Sequence, residues 1–136
     1  MNEQEFKDRT KRLGIQIIRL LEELPRNRTT DVLARQLLRS ATSIGANYRA
    51  ACRGRSKADV IAKLGIVEEE ADEALYWLEI LVETEHLSAR HAQPLIDEAE
   101  EIIAMVVASI RTMRDRDPFT AVTQSKIQNP KSKIHL

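Results

Sequence analysis

Arginine is the residue type in this chain whose spacing could do chemistry. Arg35, Arg39, Thr42, Ala46, Arg49 and Arg53 follow one another at steps of three and four residues, so on a helix they fall along one side. Arg26 and Arg28 prolong the row at one end, and Arg55 and Lys57 at the other. Guanidinium groups grip phosphate oxygens bidentately, and a row of them about a turn apart can follow a phosphate backbone. No aromatic residue interrupts the row. That disfavours stacking on unpaired bases and favours largely sequence-blind contact with RNA or DNA phosphates. The candidate nucleic-acid-binding residues are therefore Arg35, Arg39, Arg49, Arg53, Arg55 and Lys57. An acidic block, Glu68, Glu69, Glu70, Asp72 and Glu73, offers these arginines a second employment as ion-pair partners, within one subunit or between subunits. Both readings stand at this level, and they are compatible.

Other constellations point away from catalysis. Glu83-Thr-Glu-His86 matches the Glu-x-x-His unit of di-iron bundles, but such sites need two units and the chain has one. His86 and His91 could meet across a loop, yet two histidines do not make a metal site. No zinc-protease motif, phosphate-binding glycine loop or nucleophile elbow occurs. The expectation is a non-enzymatic protein with no catalytic residue, no metal and no cofactor. Cys52 lies near Arg49, Arg53 and Arg55, which favour a thiolate, but at the C-terminal end of a helix, whose dipole opposes one. It reads as a packing cysteine. Ser43 and Asn47, four apart beside an apolar side, are expected to bond each other or a facing helix and so fix its register. Together with Tyr48 and Trp77 they are the expected structural or interface residues.

Four helices position these residues. Phe6, Leu13, Ile17, Leu20, Leu21 and Leu24 form one apolar stripe, predicting a helix from about Glu3 to Glu23 that stops before Pro25. Thr29 or Thr30 is the expected cap of a second helix over Asp31–Arg53, with Leu33, Leu37, Ala41, Ile44, Tyr48 and Ala51 inward. Gly45, costly inside a helix, implies close approach of a neighbour or a slight bend. Gly54 suits a left-handed helix end, and Ser56 with Asp59 suits the cap of the third helix, about Lys57–Thr84. That helix is apolar over an unusually wide arc. Ile61, Leu64, Ala71, Leu75, Leu78 and Val82 make one stripe, and Val60, Val67, Ala74, Trp77 and Leu81 widen it. Burial on two sides, against the core and against another subunit, accounts for such width. A fourth helix reaches about Arg114, with a short turn over residues 88–92 and a fresh start at Pro94.

Composition sets the frame. In 136 residues, hydrophobic residues make up 43%, charged residues 31%, and glycine and proline number four each, the profile of a single all-helical domain. Aromatics are 4%, so the core must be aliphatic. One cysteine excludes an internal disulfide and fits a reducing cytoplasm. No apolar run approaches the ~18 residues that span a bilayer, and the N-terminus lacks the apolar core of a signal peptide. Net charge is zero, but it is sorted along the chain. Residues 1–57 carry 13 Lys/Arg against 6 Asp/Glu, and residues 58–105 carry 2 against 13. A basic half could meet a polyanion or the acidic half of another copy. From Asp117 periodicity stops, and residues 117–136 are expected to be a mobile basic tail after a bundle over 1–116.

Leu37-Leu-Arg-Ser-Ala-Thr-Ser-Ile44, Ala46-Asn-Tyr-Arg49, Gly54-Arg-Ser56 and Glu73-Ala-Leu-Tyr-Trp-Leu-Glu79 resemble the S23-type proteins, whose reading frames lie inside intervening sequences of bacterial 23S ribosomal RNA genes. The chain departs from one family pattern at Ala50, where a glutamate follows Asn-Tyr-Arg. The resemblance implies an all-α, antiparallel up-down-up-down, left-handed four-helix bundle assembling as a ring, most often a homopentamer. A more distant similarity is to the accessory variability determinant protein of diversity-generating retroelements, a basic pentameric barrel that binds nucleic acid. The expectation is a cytoplasmic homo-oligomer with RNA or DNA, or an unidentified protein, as partner and no membrane association. Its competitor is an oligomeric scaffold whose sorted charge serves assembly alone.

Overall fold

A computed structural model of the chain describes residues 1–116; the tail expected over 117–136 lies outside them. The helices are α1 (Glu3–Glu22), α2 (Arg28–Cys52), α3 (Lys57–Glu83) and α4 (Ala89–Asp115). Each helix packs on the next in sequence, most extensively α2 on α3, and a thinner α1–α4 seam closes the ring. Short connections between helices that neighbour each other in sequence and in space make a four-helix bundle. Leu13, Ile17, Leu37, Ile44, Val67, Leu78, Leu81, Ile102 and Val106 fill its centre, an aliphatic core as the composition requires.

Local chemistry sets the ends of the helices. The side-chain carbonyl of Asn2 caps α1, accepting from the Glu5 N–H at 2.8 Å. Asn27, rather than Thr29 or Thr30, caps α2. Its side-chain oxygen accepts from the Thr30 N–H at 2.9 Å, and the Thr30 hydroxyl oxygen accepts from the Asn27 N–H at 3.1 Å. This reciprocal box satisfies two donors at once and starts the helix at Arg28, three residues before the expected Asp31. Ser56 caps α3, accepting from the Asp59 N–H at 3.1 Å, and the Asp59 carboxylate accepts from the Arg55 N–H at 3.0 Å.

Two further sequence expectations need correction. The fourth helix does not restart at Pro94; α4 runs unbroken from its Ser88 cap with the proline inside it. Proline removes the bond to the Arg90 carbonyl, but Arg90 and Pro94 are both exposed, so water can take that acceptor. Gly54 is not left-handed, since no described glycine has positive φ. It is required instead because a Cβ there would overlap the Val60 side chain. The left-handed residue is Glu85, φ 63°, in the α3–α4 turn. There the Glu85 N–H donates to the Val82 carbonyl at 3.0 Å and the His86 N–H to the Leu81 carbonyl at 2.9 Å, the paired bonds of a Schellman end.

Between α1 and α2 the backbones come close. A Cβ on Gly45 would lie 3.4 Å from both the Lys11 nitrogen and the Thr10 hydroxyl oxygen, and one on Gly14 would lie 3.5 Å from the Ala41 carbonyl. The α1–α4 seam is held differently. The Arg9 guanidinium donates to both Glu98 carboxylate oxygens at 2.6 and 2.7 Å and to Glu101 at 3.0 Å. The arginine side chain is 17% exposed, so this is a largely enclosed, bidentate latch.

The left-handed conformation of Glu85 is costly for any residue with a Cβ. Glu85→Gly should therefore raise stability by about 0.5–1 kcal/mol, read as a higher urea midpoint with an unchanged slope. No gain would mean that the glutamate side chain compensates the strain.

Candidate nucleic-acid interface

The inward residues of α2, Leu37, Ser40, Ala41 and Ile44, are buried. Helical spacing then turns Arg35, Arg39, Arg49 and Arg53 outward, and all four are exposed. Arg55 lies in the α2–α3 turn and Lys57 opens α3, both exposed. The four arginines thus share the outward side of α2, and Arg55 and Lys57 follow them in the turn and at the start of α3.

They differ in how far they are already engaged. Arg39 donates to Glu70 of α3 at 3.3 Å and also to Glu73. The Glu73 carboxylate in addition accepts from the Trp77 indole N–H at 3.2 Å. Arg39 is therefore committed to the α2–α3 seam. Among the described residues, Arg35, Arg49, Arg53, Arg55 and Lys57 make no ion pair with any carboxylate, and Glu68, Glu69 and Asp72 likewise pair with no cation. The acidic block takes one arginine and leaves the row.

Ser43 and Asn47 lie half-buried and bond back along their own helix. The Ser43 hydroxyl donates to the Arg39 carbonyl at 2.7 Å, and the Asn47 amide donates to the Ser43 carbonyl at 2.8 Å. No bond to a facing helix forms through either side chain, so register rests on packing. Tyr48 meets Phe6 of α1 edge-on, with ring centroids 4.6 Å apart. Cys52 sits beside Tyr48 and the Glu3 carboxylate; burial first, and Glu3 next, push its thiol above the usual range. That environment disfavours the thiolate. Trp77 is half-buried on α3, beside the exposed Tyr76 ring. His86 and His91 bond to Thr84 and Ser88 at 2.8 Å. Among the described residues, no group of three His, Cys, Asp or Glu side chains converges as metal ligands would.

Sequence reasoning missed a hollow of about 500 Å³ between α1 and α2, where Lys7 and Lys11 of α1 share the lining with Arg49 of α2. The α1 lysines sit outside the arginine row in sequence, and only the packing of the two helices brings them to it.

The Arg39 guanidinium, then the Trp77 indole, hold the Glu73 carboxyl below its usual range. A depressed folded value means that the pairing stabilises the protein fully above the ordinary carboxylate range and is lost as pH falls through the lower one. Trp77 is the single tryptophan, so its emission should titrate below the ordinary glutamate range. Arg39→Gln should move that transition upward. An unmoved transition would separate the tryptophan signal from Glu73.

The family model of the 23S rRNA-intervening sequence protein matches residues 2–108. A crystal structure of a protein with unknown function from the S23 ribosomal protein family of Bacteroides thetaiotaomicron is similar to this chain at 36% identity. Its TM-score is 0.72, and the match covers 76% of this chain and 96% of that one. No curated protein matches the chain. Since the family match takes in α1, α2, α3 and most of α4, the chain belongs to the 23S rRNA-intervening sequence protein family.

Proposed function

We propose that the protein is a non-enzymatic, homo-oligomeric four-helix bundle that binds RNA or DNA through phosphate contacts of Arg35, Arg49, Arg53, Arg55 and Lys57. The observation that carries this reading is the division among its cations. Arg39 is held by Glu70 and Glu73, whereas the other five stand exposed without a carboxylate partner among the described residues. Unpaired guanidinium groups at helical spacing are costly to assemble by mutual repulsion and useful against a polyanion. Contacts of this kind orient a nucleic acid without reading its sequence.

Self-association is part of the same proposal. Ile66 is 41% and Tyr76 53% exposed on the side of α3 away from the core, which supports coverage by a second copy. The family resemblance favours a ring, in particular a pentamer. A ring repeats a weak phosphate site and raises the overall affinity through effective concentration. The lone cysteine supports a cytoplasmic setting, and no described helix is long and apolar enough to cross a membrane.

A second reading has its own support. The exposed Ile66 and Tyr76 favour a scaffold whose charge serves assembly, with an unidentified protein as partner and no nucleic acid bound. One set of substitutions separates the two. Arg35→Gln, Arg49→Gln and Arg53→Gln together should flatten the salt dependence of binding to structured RNA and duplex DNA, by about 0.9 in logarithmic slope for each duplex phosphate no longer neutralised. Light scattering of the same variant should show the parent's mass. Binding unchanged at every salt concentration would refute the phosphate surface, and a dissociated oligomer would favour the scaffold.

A further inference from the structure

We infer that the α1–α2 seam is a track for one nucleic-acid strand, entered by its phosphodiester backbone with the bases turned outward. This rests on the phosphate-binding reading above and specifies where, and in what form, the nucleic acid sits. The seam holds two hollows. One, of about 500 Å³, has Lys7, Lys11 and Arg49 in its lining; the other, of about 400 Å³, has Arg35. The first is open because its floor is made of small residues, Gly14, Gly45 and Ala46 among them. The close contact of the two helices therefore leaves a trough above it rather than a ridge of side chains.

The lining of the first hollow favours phosphate, with three cations against one acid, and the second adds Arg26 and Arg35 against Glu22 and Asp31. Lys11 and Arg49 are exposed and make no ion pair among the described residues, and Lys7 reaches Glu3 only at 3.9 Å. Such an exposed pair is worth little and is readily exchanged for a phosphate. Among the described residues, three acids line the two hollows: Asp8 of the first accepts from the Gln4 amide at 2.9 Å, Asp31 of the second accepts from the Arg26 guanidinium at 3.2 Å, and Glu22 of the second makes no ion pair. Among the described residues no aromatic lines either hollow, so their walls offer nothing on which bases could stack, and the backbone is the part they can hold.

Length and width select the ligand further. Arg35 and Arg49 stand fourteen residues apart on one helix, or ~21 Å along its axis. A ligand that engages both hollows must be a chain, since a mononucleotide reaches only one. Packed helices lie about 8–10 Å apart, so the trough between them is too narrow to admit a duplex. A duplex would rest on the outward arginines of α2 and leave Lys7 and Lys11 unused.

The test compares a mixed-sequence single-stranded RNA oligonucleotide with the duplex of the same sequence, by fluorescence anisotropy on the full chain across a salt series. Lys7→Gln with Lys11→Gln should lower the single-strand slope by about 1.4, at roughly 0.7 per phosphate contact, and leave the duplex slope unchanged. Ala46→Leu fills the trough without removing a charge. It is exposed on α2, and leucine is a good helix former, so the fold should survive, as circular dichroism would verify. It should weaken single-strand binding several-fold and duplex binding little. If Ala46→Leu unfolds, the lysine variant decides alone. Parent-like single-strand binding by the lysine variant, alongside weakened binding by the α2 arginine variant, would overturn the track and leave the phosphate surface standing. A preference of the parent for duplex would overturn the track as well. Failure of the parent to bind either probe at low salt would remove both proposals.

Discussion

Backbone contact between α1 and α2 is the constraint on which the rest of this molecule turns. At Gly45 a Cβ would already touch the Thr10–Lys11 backbone at 3.4–3.5 Å, and at Gly14 the Ala41 carbonyl at 3.5 Å, which leaves room for a methyl group and little more. With these positions held against α1, the rotation of α2 about its axis is no longer free. Leu37, Ala41 and Ile44 are committed to the core, and the arginines, placed on the remaining arc by the 3.6-residue period, must face out. A glycine in mid-helix costs about 1 kcal/mol against alanine. The chain carries two such glycines at one seam, and with α2 packed there the positions of its cations are set by packing rather than by their own contacts.

Electrostatics then divides the surface of α2 in two. On the α3 side, Arg39 meets Glu70 and Glu73, and the charges of the two helices compensate. On the α1 side, Asp8 is the one acid among the described residues that line the hollow at Arg49, and lysines of α1 add to that arginine, whereas Glu22 and Asp31 lie in the lining with Arg35. The sorting of charge along the chain is thus reproduced in space, but incompletely. The acidic excess of α3 and α4 does not fold back over the basic face. Glu98 and Glu101 are drawn instead to Arg9, on the far side of α1.

The helices themselves were readable in the sequence because their signals are local. Apolar periodicity, the Ser56 cap and the stop before Pro25 each involve residues within one turn of one another. Boundaries failed where several local signals compete. Arg26-Asn27-Arg28-Thr29-Thr30 contains three capable caps, and only the reciprocal Asn27–Thr30 bonding selects among them. Gly54 did not take the left-handed role expected of it, and Glu85 took one that no signal announced, because a left-handed residue is set by the geometry of the turn, whereas Gly54 answers to the nearby Val60. The arginine row was equally legible as a row. What could not be read was the state of each member, since that depends on which α3 carboxylate its helix faces. Arg9 with Glu98, 89 positions apart, carries no local signal at all, and neither does a hollow whose walls belong to different helices.

The latch at Arg9 bears on how the bundle comes apart. The α1–α4 seam is the thinnest of the four, and α2 and α3 share the most extensive one. Local opening follows the least-packed boundary, so α1 is the helix that peels, hinged on the Leu24–Asn27 connection, while α2, α3 and α4 remain a three-helix unit. Hydrogen exchange in α1 should then report a subglobal motion rather than global unfolding. Since α1 supplies one wall of the α1–α2 trough, each such excursion dismantles that surface and restores it on reclosing. A ligand lying across both helices would suppress the motion, and would be felt as slower exchange on the face of α1 farthest from it.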